Sequence, residues 1–361
     1  MDFGLSEEQT LLQDTIRRFV DSDCPPSRTR QIVEGDLPSD PDLWRSLTEL
    51  GIPGLSIDTS HGGSGLELLD LALVAEVLGW GATPGPFLAN AMGAIALSSG
   101  DEPSRERWLP GVATGEIVLT LAIGEAGGEW DPDRLQTRAR SGRLRGEKTL
   151  VPSADAADVL LVAANDEEGP GVWAVERGAP GLAIERLAGV DGTRPLCHVR
   201  LEDTPASKVV AGRTAIDRAR DAGLVLIAAD ASGGAHRCLE MTRDYALTRE
   251  QFGQPIAAFQ GVKHQLANVA CDLEPAVSLW WYAAHAFDHI TDRAERHAAL
   301  AKAHLTDLFD TTARYAIELH GGIGFTWEYD LHLWFRRSVF DRAFLGEAAY
   351  HRARAADLAG W

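Results

Sequence analysis

Arginine, amide and glycine residues fall at chemically suggestive spacings in two stretches of the last third of the chain. The first runs Arg243-Asp-Tyr-Ala-Leu-Thr-Arg249-Glu-Gln251-Phe252-Gly253-Gln-Pro-Ile-Ala-Ala-Phe259-Gln260. Arg249 offers a planar fork of donors suited to a pyrophosphate. Phe252-Gly253 reads as a helix end, where glycine allows a turn and phenylalanine can pack on a ring. The second runs Glu318-Leu-His320-Gly321-Gly322-Ile-Gly324-Phe-Thr326. Gly321 and Gly322 let backbone N–H groups approach a ligand closely. Each stretch therefore suits a helix end that meets a phosphate-bearing cofactor. Each also has a plain structural reading: Arg249 paired with a surface carboxylate, Phe252 in the core, and Gly-Gly as a helix C-cap and loop.

Other reactive residue types are less organised. His285 and His289 stand four apart on a helix, a spacing that can ligate a metal. No H-E-x-x-H pattern and no third ligand accompany them, so a helix-surface pair and no metal are expected. Cys24, Cys197, Cys238 and Cys271 form no C-x-x-C pair and read as reduced, mostly buried thiols of a cytoplasmic protein.

These residues must be held by a chain of 361 residues, long enough for two or three packed domains. Residues 1–116 read as helical. Ser6-Glu-Glu-Gln opens an amphipathic segment with Leu11, Ile16, Phe19 and Val20 on one face. Met1 to Glu8 reads as a helix N-cap with an acidic first turn rather than a basic leader. From 117 to 208 short β-type runs take over: Ile117–Ile123, Leu135–Arg140, Val159–Ala164 and Gly171–Val175, with a hairpin turn at Ser141-Gly142. This block is expected to be a small antiparallel barrel or sandwich. From 209 to 361 helical spacing returns, as in the stripe Val262, Leu266, Val269, Leu273 and Val277, predicting a helical bundle.

A formal charge of −19 argues against nucleic acid, whose phosphates need a basic face. It leaves anionic cofactors open, because these need only a few placed arginines and helix N-termini. No apolar run reaches the length of a membrane span.

Taken in order, the two stretches resemble the motifs R-x-x-F-G-x-x-I-x-x-x-Q and Q-x-x-G-G-x-G of the acyl-CoA dehydrogenase family of flavoproteins. Leu50-Gly51-Ile52 with Gly62-Gly63-Ser-Gly65, and Leu144-Arg-Gly146-Glu147-Lys148, resemble its N-terminal and β-domain signatures, so the likeness covers the whole chain. The resemblance implies an α+β fold: an N-terminal helical domain, a central β-domain and a C-terminal four-helix bundle that makes the oligomer. It implies FAD, an acyl-CoA substrate, and electron-transfer flavoprotein or another acceptor. It implies that Arg249, Gln251, Phe252, Phe259, Gln260, Glu318, Gly321 and Gly322 contact cofactor, the first group across a subunit interface.

Several positions depart from the family pattern. Glu318 replaces the glutamine before Gly-Gly, and a carboxylate beside a diphosphate is repulsive unless paired or protonated. Gly124, in Gly124-Glu125-Ala126-Gly127-Gly128-Glu129, lacks the hydroxyl that bonds the flavin. After Lys148, where Trp-Ile-Thr is usual, the chain has Thr149-Leu150-Val151-Pro152-Ser153, and Pro152 removes a backbone donor. The family's dehydrogenation needs a carboxylate that takes the α-proton while the β-hydride goes to flavin. In the matching piece, Ala343-Phe344-Leu345-Gly346-Glu347, that slot is Leu345. Three readings stay open. The base lies elsewhere, at Glu347 or Asp230. Or the chain is half of a heteromeric α2β2 dehydrogenase of lipid or steroid catabolism and offers its residues to a partner's FAD. Or it uses flavin for other chemistry. A non-catalytic assembly subunit is the reading outside enzymes.

Overall fold

The computed structural model describes residues 4–35 and 40–361. Met1–Phe3, part of the expected N-cap segment, lie outside the described residues. Helices come first: α1 Glu7–Asp23, α2 Pro26–Glu34, α3 Pro41–Glu49, α4 Leu68–Trp80, α5 Phe87–Ser98 and α6 Glu102–Ala113. Ser6 starts α1 with a capping box: its hydroxyl accepts from the Gln9 amide, and the Gln9 side chain accepts from the Ser6 N–H. Helices α4 and α5 are apolar almost all round, and their residues are buried to match.

Strands follow: β1 Leu119–Ala122, β2 Arg138–Arg140, β3 Arg143–Pro152, β4 Val159–Asp166, β5 Gly169–Glu176, β6 Leu182–Arg186, β7 Leu196–Pro205 and β8 Ser207–Ala211. Their order in the sheet is β6-β7-β3-β2-β4-β5-β8, with β1 also on β4. Ser141 and Gly142 take positive φ (50° and 71°), the two-residue turn that joins β2 to β3. The sheet corrects one expectation. It is mixed rather than purely antiparallel, because β1 and β2 both run parallel to β4. The 15 residues from Ile123 to Thr137 are no hairpin; they carry the chain back so that β1 and β2 enter in the same direction. The strand path ends at β6 and β8 and does not close into a barrel.

The last part is α7 Thr214–Thr248, the short strands β9 Glu250–Gln251 and β10 Gln254–Pro255, then α8 Gln260–His289, α9 Thr291–His320, α10 Leu331–Ala343 and α11 Ala348–Asp357. The chain forms two compact units. One comprises Met1–Glu34, Ala72–Thr83 and Leu224–Trp361; the other comprises Gly35–Leu71 and Pro84–Gly223. In the first, α9 packs on α8, α10 and α11 around Trp280, Phe309 and Trp334. There α4 and α7 touch backbone to backbone. A Cβ on Gly79 would lie 2.1 Å from the Asp230 carbonyl oxygen, and one on Gly233 would lie 1.8 Å from that of Glu76. In the second unit the sheet buries Leu144, Val151, Leu160, Val162, Trp173 and Val199 on one face. No helix of the described residues is long and apolar enough to cross a membrane.

Candidate functional site

Arg249 follows the last residue of α7 and heads a tight hairpin, β9–β10, whose two turn residues are Phe252 and Gly253. Both have positive φ, 52° and 78°. The expectation of a helix end at Phe252 is thereby corrected: the helix stops at Thr248 and the motif builds a type I′-like turn. Positive φ is costly for a bulky side chain. Phe252 nevertheless stands 94% exposed, so core burial does not explain it. Its ring meets Phe259 edge-on at 6.1 Å, and Phe259 is the N-cap of α8, which begins at Gln260. Arg249 is exposed and makes no salt bridge among the described residues. Gln251 and Gln260 are exposed beside it.

Helix α9 ends at His320, and Gly321–Phe325 forms a 3-10 turn. Gly321 needs its φ of 64°, and Gly324 needs to be small, since a Cβ there would lie 2.7 Å from the Ile317 carbonyl oxygen. Gly322 has neither requirement: nothing lies within 4 Å of a Cβ built on it and its φ is not positive. Glycine at that position is unexplained by the chain's own packing and suits close approach by something outside it. Glu318 is exposed.

An aromatic cluster joins the two stretches, and the sequence reading missed it. The Tyr245 ring stacks on His320 at 4.3 Å, and its hydroxyl donates to the His320 carbonyl at 3.3 Å. His320 Nδ1 donates to the Ala316 carbonyl (2.7 Å), which leaves Nε2 to accept from the Tyr329 hydroxyl (3.0 Å). Burial pushes the His320 imidazole below its ordinary pKa, in keeping with this neutral tautomer. The Arg249 amide donates to the Tyr245 carbonyl, so the hairpin starts on the same residue.

The slot of the usual base lies between α10 and α11. Leu345 is buried (1% exposed) and left-handed, with φ 60°. His351 Nε2 donates to its carbonyl at 2.9 Å. Lys302, wholly buried, donates to the carbonyls of Asp341 (2.6 Å), Arg342 (3.2 Å) and Gly346 (3.2 Å). Burial lowers the Lys302 ammonium to about 7. Lys302 sits among alanines in a helix, and only its apolar neighbours hinted at burial. Glu347, the next candidate base, is exposed at the N-cap of α11 and caps nothing with its side chain. Asp230 is 2% exposed, and both its oxygens accept from Arg337 Nη1, at 2.9 and 3.2 Å. Arg337 also donates to the Thr83 carbonyl. Asp230, the other candidate base, is thus held in a buried ion pair with Arg337.

In the other unit, Glu125 accepts from the Thr137 amide (2.9 Å) and hydroxyl (2.6 Å) and from Lys148 Nζ (2.7 Å). Lys148 is fully buried, and desolvation lowers its ammonium to about 8 despite that carboxylate. An open cleft of about 800 Å³ lies over this pair, lined also by Glu129, Arg134, Thr149 and His198. Leu150 and Ser153 are left-handed, and Ser153 donates its amide to the Pro195 carbonyl. Among the described residues, no group of three or more His, Cys, Asp or Glu could hold a metal ion. His285 and His289 lie against each other at 4.6 Å. Cys24, Cys197 and Cys238 are buried, Cys271 is exposed, and all four are free.

Fold and sequence match a known class. The acyl-CoA dehydrogenase N-terminal domain matches residues 6–116, and the acyl-CoA dehydrogenase C-terminal domain matches residues 210–359. The chain is 30% identical to acyl-CoA dehydrogenase IpdE2 of Mycobacterium tuberculosis over 333 residues, 92% of this chain and 91% of that one. Among solved structures it is similar to the Tcur3481-Tcur3483 steroid ACAD G363A variant (TM-score 0.90, 30% identity, 98% of each chain). It is also similar to the ChsE4-ChsE5 complex from Mycobacterium tuberculosis (TM-score 0.90, 27% identity, 100% of this chain and 99% of that one). The chain belongs to the acyl-CoA dehydrogenase family, an FAD-dependent family of oxidoreductases.

The residues present fit FAD unevenly. The exposed, unpaired Arg249, the exposed Phe252 and the open face of Gly321-Gly322 suit the phosphates and rings of a cofactor brought up from outside. The β-domain does not offer the matching hydroxyl at Gly124.

Proposed function

We infer that the chain takes part in α,β-desaturation of an acyl-CoA thioester of lipid or steroid origin as one subunit of a heteromeric dehydrogenase. Arg249, Gln251, Phe252, Phe259, Gln260 and the Glu318–Gly322 turn face a neighbouring subunit's FAD. FAD supplies the hydride acceptor; this chain supplies charge complementarity and a ring contact to hold it. The observation that carries the reading is a contrast. Arg249 stands exposed with no salt bridge among the described residues and Phe252 is 94% exposed, while the slot of the proton-taking carboxylate is a buried leucine. Leu345 can neither take an α-proton nor donate to a thioester oxygen. Two of the similar solved structures are named as pairs of chains, which supports assembly with a second acyl-CoA dehydrogenase-like subunit into a tetramer. Electron-transfer flavoprotein or a similar acceptor would reoxidise the flavin.

A homo-oligomer with its own base would use Glu347, the exposed carboxylate next to the Leu345 slot, or Asp230 released from Arg337. Monooxygenation, which needs no α-proton base, and a purely structural subunit are the remaining outcomes. Arg249→Ala in the co-purified complex tests the reading. FAD per complex should fall, with turnover restored in part by added FAD; unchanged FAD retention would contradict it.

A further inference from the structure

Gly124 is the position where a hydroxyl would meet the flavin ring, and the structure shows why no side chain stands there. A Cβ on Gly124 would lie 2.8 Å from the Thr149 carbonyl oxygen and 2.8 and 2.9 Å from two ring carbons of Trp130. The indole, six residues on, has folded back over its own strand end. The fold-back is built rather than loose. Gly127 and Gly128, with φ of 82° and 76°, reverse the chain, and Glu125 donates its amide to the Glu129 carbonyl at 3.0 Å. The Gly128 amide returns to the Glu125 carbonyl, and the Asp131 amide is taken by the Glu129 carboxylate. Gly124 is itself pinned by the Thr149 amide at 2.9 Å, and Glu125 by the buried ammonium of Lys148. Trp130 is only 7% exposed in this arrangement.

We propose that Trp130 is an internal seal: its indole fills the β-domain's ring platform, so that this chain holds no isoalloxazine of its own. Backbone N–H groups that could have faced a cofactor are spent within the turn. The seal rests on the chain's place in the acyl-CoA dehydrogenase family and sharpens the partner-dependent reading. It predicts half the flavin of a fully loaded family assembly: one FAD for each pair of chains.

The test uses the full-length chain and its Gly124→Ser and Trp130→Ala variants, titrated with FAD. Binding is read from quenching of flavin fluorescence and from the visible band. Gly124→Ser alone should lower the melting temperature by roughly 3–10 °C, because its Cβ meets both the Thr149 carbonyl oxygen and the indole. The wild-type chain should show no bound flavin, and Trp130→Ala should gain at least ~10-fold in apparent affinity once the space held by the indole is opened. A wild-type chain that titrates to one FAD per chain overturns the seal, and so does a Trp130→Ala variant that folds but binds no better than wild type. Turnover separates this from the broader reading. Stoichiometric flavin without desaturation by the lone chain removes the seal and leaves partner dependence standing. Stoichiometric flavin with desaturation removes both.

Discussion

The ring of Tyr245 lies 4.3 Å from that of His320, tilted by 26°. This contact joins the last turn of α7, which leads into the Arg249 hairpin, to the residue that opens the Gly321-Gly322 turn. The two motifs lie far apart in sequence, so their geometry toward a common cofactor depends on such a joint. Tyr245→Phe keeps the stack and loses one hydroxyl bond; Tyr245→Ala loses both. Tyr245→Ala should cost about 1–2 kcal/mol beyond the lost burial and weaken FAD retention by the complex, with Tyr245→Phe near wild type. Chemical denaturation and flavin titration of both variants check this. Equal behaviour of the two would show that the stack positions nothing.

Gly322 and Gly324 should separate function from folding. Gly324→Ala places a Cβ 2.7 Å from the Ile317 carbonyl oxygen and should destabilise by about 1–3 kcal/mol. Gly322→Ala meets open space and should stay within about 0.5 kcal/mol of wild type. It should still reduce FAD occupancy in the complex, because the added methyl stands where the cofactor approaches. Undiminished occupancy for Gly322→Ala would remove that residue from the interface.

Asp230 and Arg337 give a prediction of opposite kind. Asp230→Ala leaves a fully buried guanidinium without its carboxylate and should cost on the order of 3–5 kcal/mol, seen as a large drop in melting temperature. A melting temperature close to wild type with lost turnover would instead return Asp230 to the role of base.

Lys302 makes stability depend on pH. Burial lowers its ammonium from the ordinary 10.5 to about 7 in the folded chain. Below pH 7 both states are protonated and the folded state carries the desolvation penalty in full. Between about pH 7 and 10.5 the unfolded state still binds the proton that the folded state has released, so stability rises with pH. Relative to Lys302→Met, the wild type should therefore gain on the order of 1 kcal/mol per pH unit across that window. Denaturant midpoints of both proteins at several pH values measure it; a pH-independent difference would contradict the assignment.

Some of this was legible in the sequence and some was not, for identifiable reasons. Helical period, β alternation and turn residues exposed the order of elements, and Ser6 and Ser141-Gly142 carried their local geometry in their own chemistry. The direction of β1 and β2 was hidden because pairing depends on where the intervening segment returns, which side-chain alternation does not encode. Phe252 was placed at a helix end because a bulky residue at positive φ runs against local preference, and such conflicts mark sites held by the rest of the structure. Trp130 carried no signal in the sequence, and only its packing over Gly124 drew it to notice. Leu345 was readable as a missing base, whereas the fate of Asp230 depended on Arg337, 107 residues away.

On the proposed function, catalysis by this chain requires a second subunit's flavin and base. The most direct measurement is reduction of an electron acceptor by acyl-CoA, with the visible flavin spectrum recorded alongside, for the purified chain alone and for the chain co-purified with its partner subunit. The chain alone should be colourless and inactive, and the complex yellow and active. A yellow homo-oligomer that turns over acyl-CoA unaided would contradict that requirement.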